Sequence, residues 1–92
     1  MTRIVIKELV WDAYNIEHIK KHNVTVQEVE IVAQNLIAHE KAKEGRYSVF
    51  GRVGSRLLTI IVRRERNGVY YLVTARDSAK KERKNVYEKE KI

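Results

Sequence analysis

The stretch Leu57-Leu58-Thr59-Ile60-Ile61-Val62-Arg63-Arg64-Glu65-Arg66-Asn67-Gly68-Val69-Tyr70-Tyr71-Leu72-Val73-Thr74-Ala75 decides the fold. Two runs rich in β-branched and aromatic residues flank Asn67-Gly68, the pair that a tight hairpin turn favours because both central residues need positive φ. The first run is apolar on both alternating faces, which places it centrally in a sheet with helices on at least one side. Arg63 and Arg64 then fall on opposite faces of their strand, as do Tyr70 and Tyr71. Upstream, Tyr47-Ser48-Val49-Phe50 reads as another extended segment, with Gly51 and Gly54 shaping the turn that follows it. Downstream, the second run passes through Thr74-Ala75-Arg76-Asp77 into a basic helix over residues 78–91. Its apolar positions, Ala79, Val86 and Tyr87, are too few for deep burial, so it reads as a surface element.

Working toward the N-terminus, residues 3–10 carry Ile4, Val5, Ile6, Leu9 and Val10 and suggest a first strand. Asp12 stands where an N-cap belongs, ahead of a short helix through about Lys21 that Asn23 can close in the left-handed conformation. Thr25 and Glu28 form a capping box, followed at helical spacing by Val26, Val29, Val32, Ala33, Leu36 and Ile37. Trp11 is expected in the core, holding the first strand to the first helix. The sum is a single domain over 1–92, a two-layer α+β fold of order β-α-α-β-β-β-α with an antiparallel sheet.

A chain of 92 residues, 43% of them apolar, is long enough for one modest core. It has no Cys, hence no disulfide framework and no thiolate metal site. No apolar run reaches membrane-spanning length, and Lys7 and Glu8 interrupt the N-terminal apolar stretch before it makes a signal peptide, so the expected compartment is the cytoplasm. The charge is uneven. Residues 1–45 hold six Lys/Arg against seven Asp/Glu, residues 46–75 six against one, and residues 76–92 seven against four, which together give the net +7. Positive charge gathered in one half is either a footprint for a polyanion, RNA or DNA before a membrane, or a solvated basic surface.

Trp11-Asp12, Asn15, His18-Ile19-Lys20-Lys21-His22-Asn23-Val24 leading into a Glu-rich amphipathic helix, a Gly-containing hairpin, and Thr74-Ala75-Arg76-Asp77 with Glu82, Arg83 and Tyr87 together resemble the BrnT family of toxins. Where that family more often has Lys-His-Gly this chain has Lys21-His22-Asn23, and Thr74 replaces its usual Ser. Asn tolerates the left-handed conformation and Thr keeps the hydroxyl. The resemblance implies a RelE-like fold and a small ribonuclease, the toxin of a type II toxin–antitoxin pair, neutralised by a cognate antitoxin protein from an adjacent gene. It further implies cleavage without metal or cofactor. One side chain deprotonates the ribose 2′-hydroxyl, a cation stabilises the phosphate, and an acid protonates the leaving oxygen, giving a 2′,3′-cyclic phosphate and a 5′-hydroxyl.

Within that frame His22 is the first acid/base candidate, since imidazole titrates near neutrality; the alternative is that it caps a helix end among cations. His18, one turn earlier, makes a two-His metal site conceivable, though no third ligand spacing accompanies it. Arg76 is the phosphate ligand, or it pairs with Asp77 or Glu82 to fix the last helix. Asp77 or Ser78 is the expected N-cap there, leaving free N–H groups beside Arg76. Glu82 is a candidate general base, or a surface ion-pair partner. Tyr87 either meets the RNA or packs its ring on the sheet. Lys21, Arg46, Arg52, Arg63 and Thr74 complete the expected RNA path. A non-catalytic nucleic-acid-binding module, or a basic module that docks an acidic partner protein, fits the same charge pattern. Exposed Tyr and Val on an edge strand also allow a homodimer.

Overall fold

The computed structural model describes residues 4–91. Its order is β1 (Glu8–Val10), α1 (Ala13–Lys20), α2 (Val26–Gln34), β2 (Ala38–Lys41), β3 (Arg46–Val53), β4 (Arg56–Arg66), β5 (Val69–Asp77) and α3 (Lys80–Glu90). The five strands form one sheet in the order β1-β5-β4-β3-β2. The α+β layering and the central place of the Leu57–Val62 run are as expected.

The sheet differs from expectation in two ways. It is mixed, because β1 pairs in parallel with β5 while all other neighbours are antiparallel. The chain crosses one face through α1 and α2, and the three reversals of the β2–β5 meander then return β5 in the direction of β1. The second difference is β2, a short edge strand in which only Ala38 is buried, too polar to read as a strand. The first strand is also shorter than expected. Residues 4–7 stay outside the ladder, Lys7 and Glu8 both donating to the Gly68 carbonyl at 2.8 and 3.0 Å; position 3 lies outside the described residues.

Both helix starts are capped as their sequences indicate. Asp12 and Asn15 exchange side chain-to-backbone bonds of 2.9 Å each way, and Thr25 and Glu28 do so at 3.1 and 2.9 Å. Asn23 takes φ 57 between the helices. Leu36 and Ile37, expected on α2, lie beyond its end at Gln34. Asn15 is fully buried, and its amide donates to the carbonyls of Val10 and Leu72, both at 3.0 Å, pinning α1 to β1 and β5. Trp11 packs half-buried against the main core and reaches α2, its indole N–H donating to Glu30 at 2.8 Å.

The main core lies between the helices and one sheet face, from Ile19, Val29 and Val32 to Val49, Leu58, Ile60, Val62 and Leu72. Gly51 belongs to this contact and not to a turn: it sits inside β3, where a Cβ would come within 3.0 Å of Val32 Cγ1. A second, small cluster of Ala38, Phe50, Leu57 and Val86 seats α3 on the opposite face. The Asn67-Gly68 hairpin forms, but only Gly68 has positive φ, at 80°. The register shift between Arg64 and Arg66 supplies a bulge, so the turn no longer needs two left-handed residues. Consecutive positive φ occurs instead at Glu44 and Gly45, between β2 and β3.

Candidate nucleic-acid interface

A second bulge places the site. Ile61 pairs with Thr74 and Val62 with Leu72, leaving Val73 as the extra residue in β5. That one-residue insertion shifts the alternation of side chains along the strand. Ala75 therefore turns into the core, while Thr74 and Arg76 join Tyr71 on the face that α1 and α2 leave open. Cross-strand partners make rows on this face: Arg46, Arg63 and Tyr71; then Ser48, Ile61 and Thr74; then Phe50, Thr59 and Arg76. Successive rows are about 7 Å apart, two residues of strand rise.

At the α3 edge of this face lies a polar cluster. Arg76 Nη1 and Nη2 donate to Glu82 Oε1 and Oε2 at 2.7 and 3.0 Å, and Nη1 also reaches the Asp77 carbonyl at 3.3 Å. Glu82 Oε1 accepts further bonds from Thr59 Oγ1 at 3.0 Å and from the Ala79 N–H at 2.7 Å. Since the Thr59 hydroxyl proton goes to Glu82, the 2.8 Å contact with Ser78 must be donated by Ser78. Thr59 and Ser78 are buried. These donors, the Arg76 guanidinium first, hold the Glu82 carboxyl below the usual carboxylate range despite burial that opposes it, and the same pairing raises the Arg76 pKa. Glu82 is thus ionised and occupied on both oxygens, a poor proton acceptor. Arg76 keeps a free fork, because among the described residues no acceptor meets its Nε, and the second proton of Nη2 shares that edge.

Ala79, not Asp77 or Ser78, is the N-cap of α3, and with no side-chain acceptor it leaves the reciprocal bond from Glu82 to do the capping. Ser78 is drawn into the Thr59 contact instead. Asp77 forms an ion pair with Arg56, at 2.7 Å. Arg56 also donates to Glu28 at 3.2 Å and to the carbonyls of Asn23 and His22 at 2.9 and 3.5 Å, joining the α1–α2 turn to the ends of β4 and β5. His22 is therefore at the same end of β5 as Arg76 but across the sheet from it, since Arg56 and Asp77 share the helix-covered face with Leu58. Its ring lies against His18, centroids 5.5 Å apart, and among the described residues it makes no hydrogen bond to Arg76 or Glu82. Lys21 closes α1 as its C-cap, exposed.

Of the expected RNA path, Arg46, Arg63 and Thr74 share the open face with Arg76. The Arg63 guanidinium lies 4.9 Å from the Tyr71 ring centroid and 3.1 Å from Glu65. Tyr71 donates to Asp12 at 3.0 Å, and burial foremost, then that bond, pushes its hydroxyl pKa up. Arg46 Nε is buried without a partner, the one such side-chain atom among the described residues. Arg52 is spent on α3: it forms a two-bond pair with Glu90 at 2.7 and 2.9 Å and lies 5.9 Å from the Tyr87 ring centroid. Tyr87 is nearly half exposed, and its ring meets the sheet through the Arg52 side chain of β3. Sequence reasoning missed Thr59, whose only signal is a lone hydroxyl inside an apolar run. Among the described residues no three His, Asp or Glu side chains gather as a metal site requires, and no helix is long and apolar enough to cross a membrane.

Among solved structures the chain is similar to the Brucella abortus ribonuclease toxin BrnT, with a TM-score of 0.63 over 79% of this chain and 97% of that one, at 16% identity. The two share a fold. No protein-family model matches the sequence, and no curated protein does. The mixed five-stranded sheet with its three helices is the BrnT-like arrangement.

Proposed function

We propose that the chain is a ribonuclease toxin that binds a single strand of RNA across the open sheet face and cleaves it with the adjacent 2′-hydroxyl as nucleophile. The observation that carries this reading is the free Nε–Nη2 fork of Arg76, fixed in direction by Glu82 and set at the end of a basic face. A guanidinium edge matches two phosphate oxygens, and charge gathering on those oxygens during attack strengthens both bonds. Glu82 is a positioning residue in this account, with Thr59 and Ser78 behind it. His22, at the same end of β5 but on the α1–α2 side of the sheet, exchanges protons with the substrate where the RNA strand rounds the end of the sheet. Arg63 and Arg46 hold the flanking backbone, and Tyr71 offers a ring for a base. Cleavage leaves a 2′,3′-cyclic phosphate and a 5′-hydroxyl. In the resting cell the same basic face would be covered by an acidic antitoxin protein.

The test is controlled expression in a bacterial host of the wild type beside Arg76→Ala, with 5′-hydroxyl RNA ends mapped as growth is followed. The proposal expects new ends and growth arrest from the wild type alone. A soluble wild type that produces neither contradicts it and leaves a nucleic-acid-binding module as the better reading, which the unneutralised Arg46 favours.

A further inference from the structure

A cleft at the hairpin end of the sheet, on the helix side, gathers groups that the open face does not use. Val5 and Lys7 of the N-terminal segment face Tyr47, Arg64, Asn67 and Tyr70 across a cavity of about 320 Å³. Tyr70 is 4% exposed and lines the cavity, and its hydroxyl has no hydrogen-bond partner among the described residues. Burial pushes that hydroxyl's pKa up while the Arg64 guanidinium pulls it back, so the group is a neutral donor beside a cation.

Neither Arg64 nor Lys7 takes part in an ion pair among the described residues, and no Asp or Glu lines the cavity. The Lys7 stem is held in place. Its N–H donates to the Gly68 carbonyl at 2.8 Å, and its Cδ lies 2.9 Å from where a Cβ on residue 68 would sit. The Tyr47 and Tyr70 rings meet edge to face, with centroids 6.2 Å apart, and make an angled aromatic wall. Two unneutralised cations, an aromatic wall, a free hydroxyl and the Asn67 amide describe a ligand with an anionic end and a flat, polar-edged ring. The volume is at the lower end of small-molecule pockets, which run from about 300 to 1,000 Å³.

We propose that this cleft binds a nucleotide, its phosphate between Arg64 and Lys7 and its ring against Tyr47 within reach of the Tyr70 hydroxyl and the Asn67 amide. The nucleotide is either free or the phosphorylated end of an RNA strand, since both present the same phosphate and ring. The site is separate from Arg76.

The experiment is an amide NMR titration with adenosine 5′-monophosphate, adenosine, inorganic phosphate and a short 5′-phosphorylated RNA. Saturable shifts centred on Tyr47, Arg64, Gly68 and Tyr70 are expected with the monophosphate, with adenosine and phosphate alone each weaker by about tenfold or more. Arg64→Ala should weaken binding by about tenfold and Tyr70→Phe by several fold, while Arg76→Ala leaves it unchanged, so this site stands or falls apart from the ribonuclease reading. Binding of the monophosphate but not the RNA identifies a free nucleotide, and tighter binding of the phosphorylated RNA identifies a strand end; both support the site. No saturable shift at these residues with either ligand, or unchanged affinity in Arg64→Ala, overturns it.

Discussion

Glu82 takes both η nitrogens of Arg76, at 2.7 and 3.0 Å, and by doing so aims the remaining edge of the guanidinium away from α3. The same carboxylate caps the helix through Ala79 and anchors Thr59. One side chain thus ties the candidate phosphate ligand to the seating of α3, which otherwise buries a single residue, Val86.

Replacing Glu82 should therefore cost stability and RNA cleavage together. Glu82→Ala is expected to lower unfolding free energy by about 1–3 kcal/mol, because Thr59 and Ala79 lose a charged acceptor. The pH dependence has a definite sign. A carboxylate whose pKa is lower folded than unfolded stabilises above the unfolded value and loses that contribution as pH falls through the folded one. Wild type should lose stability below about pH 4 more steeply than Glu82→Gln, with Asp77, held low by Arg56, adding to the loss in both. Denaturant melts over the acid range measure the difference.

Asn15→Ala removes, at a fully buried position, the amide that bridges the carbonyls of Val10 and Leu72. About 2 kcal/mol of destabilisation or more is expected, read by chemical denaturation, with the α1 amides losing hydrogen-exchange protection first.

Gly51→Ala puts a methyl group within 3.0 Å of Val32 Cγ1, and the buried Val32 side chain must give way by a few tenths of an ångström to receive it. The expected cost is about 1–3 kcal/mol. In a double-mutant cycle Gly51→Ala should cost less in a Val32→Ala background than in the wild type, which thermal melts of the three variants and the wild type decide.

These positions also mark how far the sequence reveals the molecule. Helix caps at Asp12 and Thr25, the left-handed Asn23 and the central Leu57–Val62 strand are local signals, and each is where its residues indicate. Gly51 reads as a turn residue because nothing in the sequence shows that Val32 will press against it. Likewise β1 and β5 become parallel only through a crossover whose direction no turn residue sets. The candidate site is legible in its residue types and not in its assembly. Arg76 and Glu82 stand out, but the Val73 bulge that brings Arg76 to the face of Arg63 has no local signature. His22 and Arg76 are linked only through Arg56, whose partners span 22–77 and cannot be read from spacing.

Arg63→Ala should weaken RNA binding evenly across sequences and reduce the slope of log affinity against log salt by about one phosphate contact, near 0.7 for a single strand. Tyr71→Leu should weaken binding with no change in that slope, because stacking carries no counterion release. Fluorescence anisotropy on a short labelled RNA at several salt concentrations separates the two.

The most direct test of the central claim is the single-turnover cleavage rate of one defined RNA by purified wild type, Arg76→Ala and Arg76→Lys, each checked for native circular dichroism. The account predicts a loss of about 10²–10³-fold in Arg76→Ala and only slight recovery in Arg76→Lys, since an ammonium restores the charge but not the fork. Cleavage by a folded Arg76→Ala at the wild-type rate would contradict it.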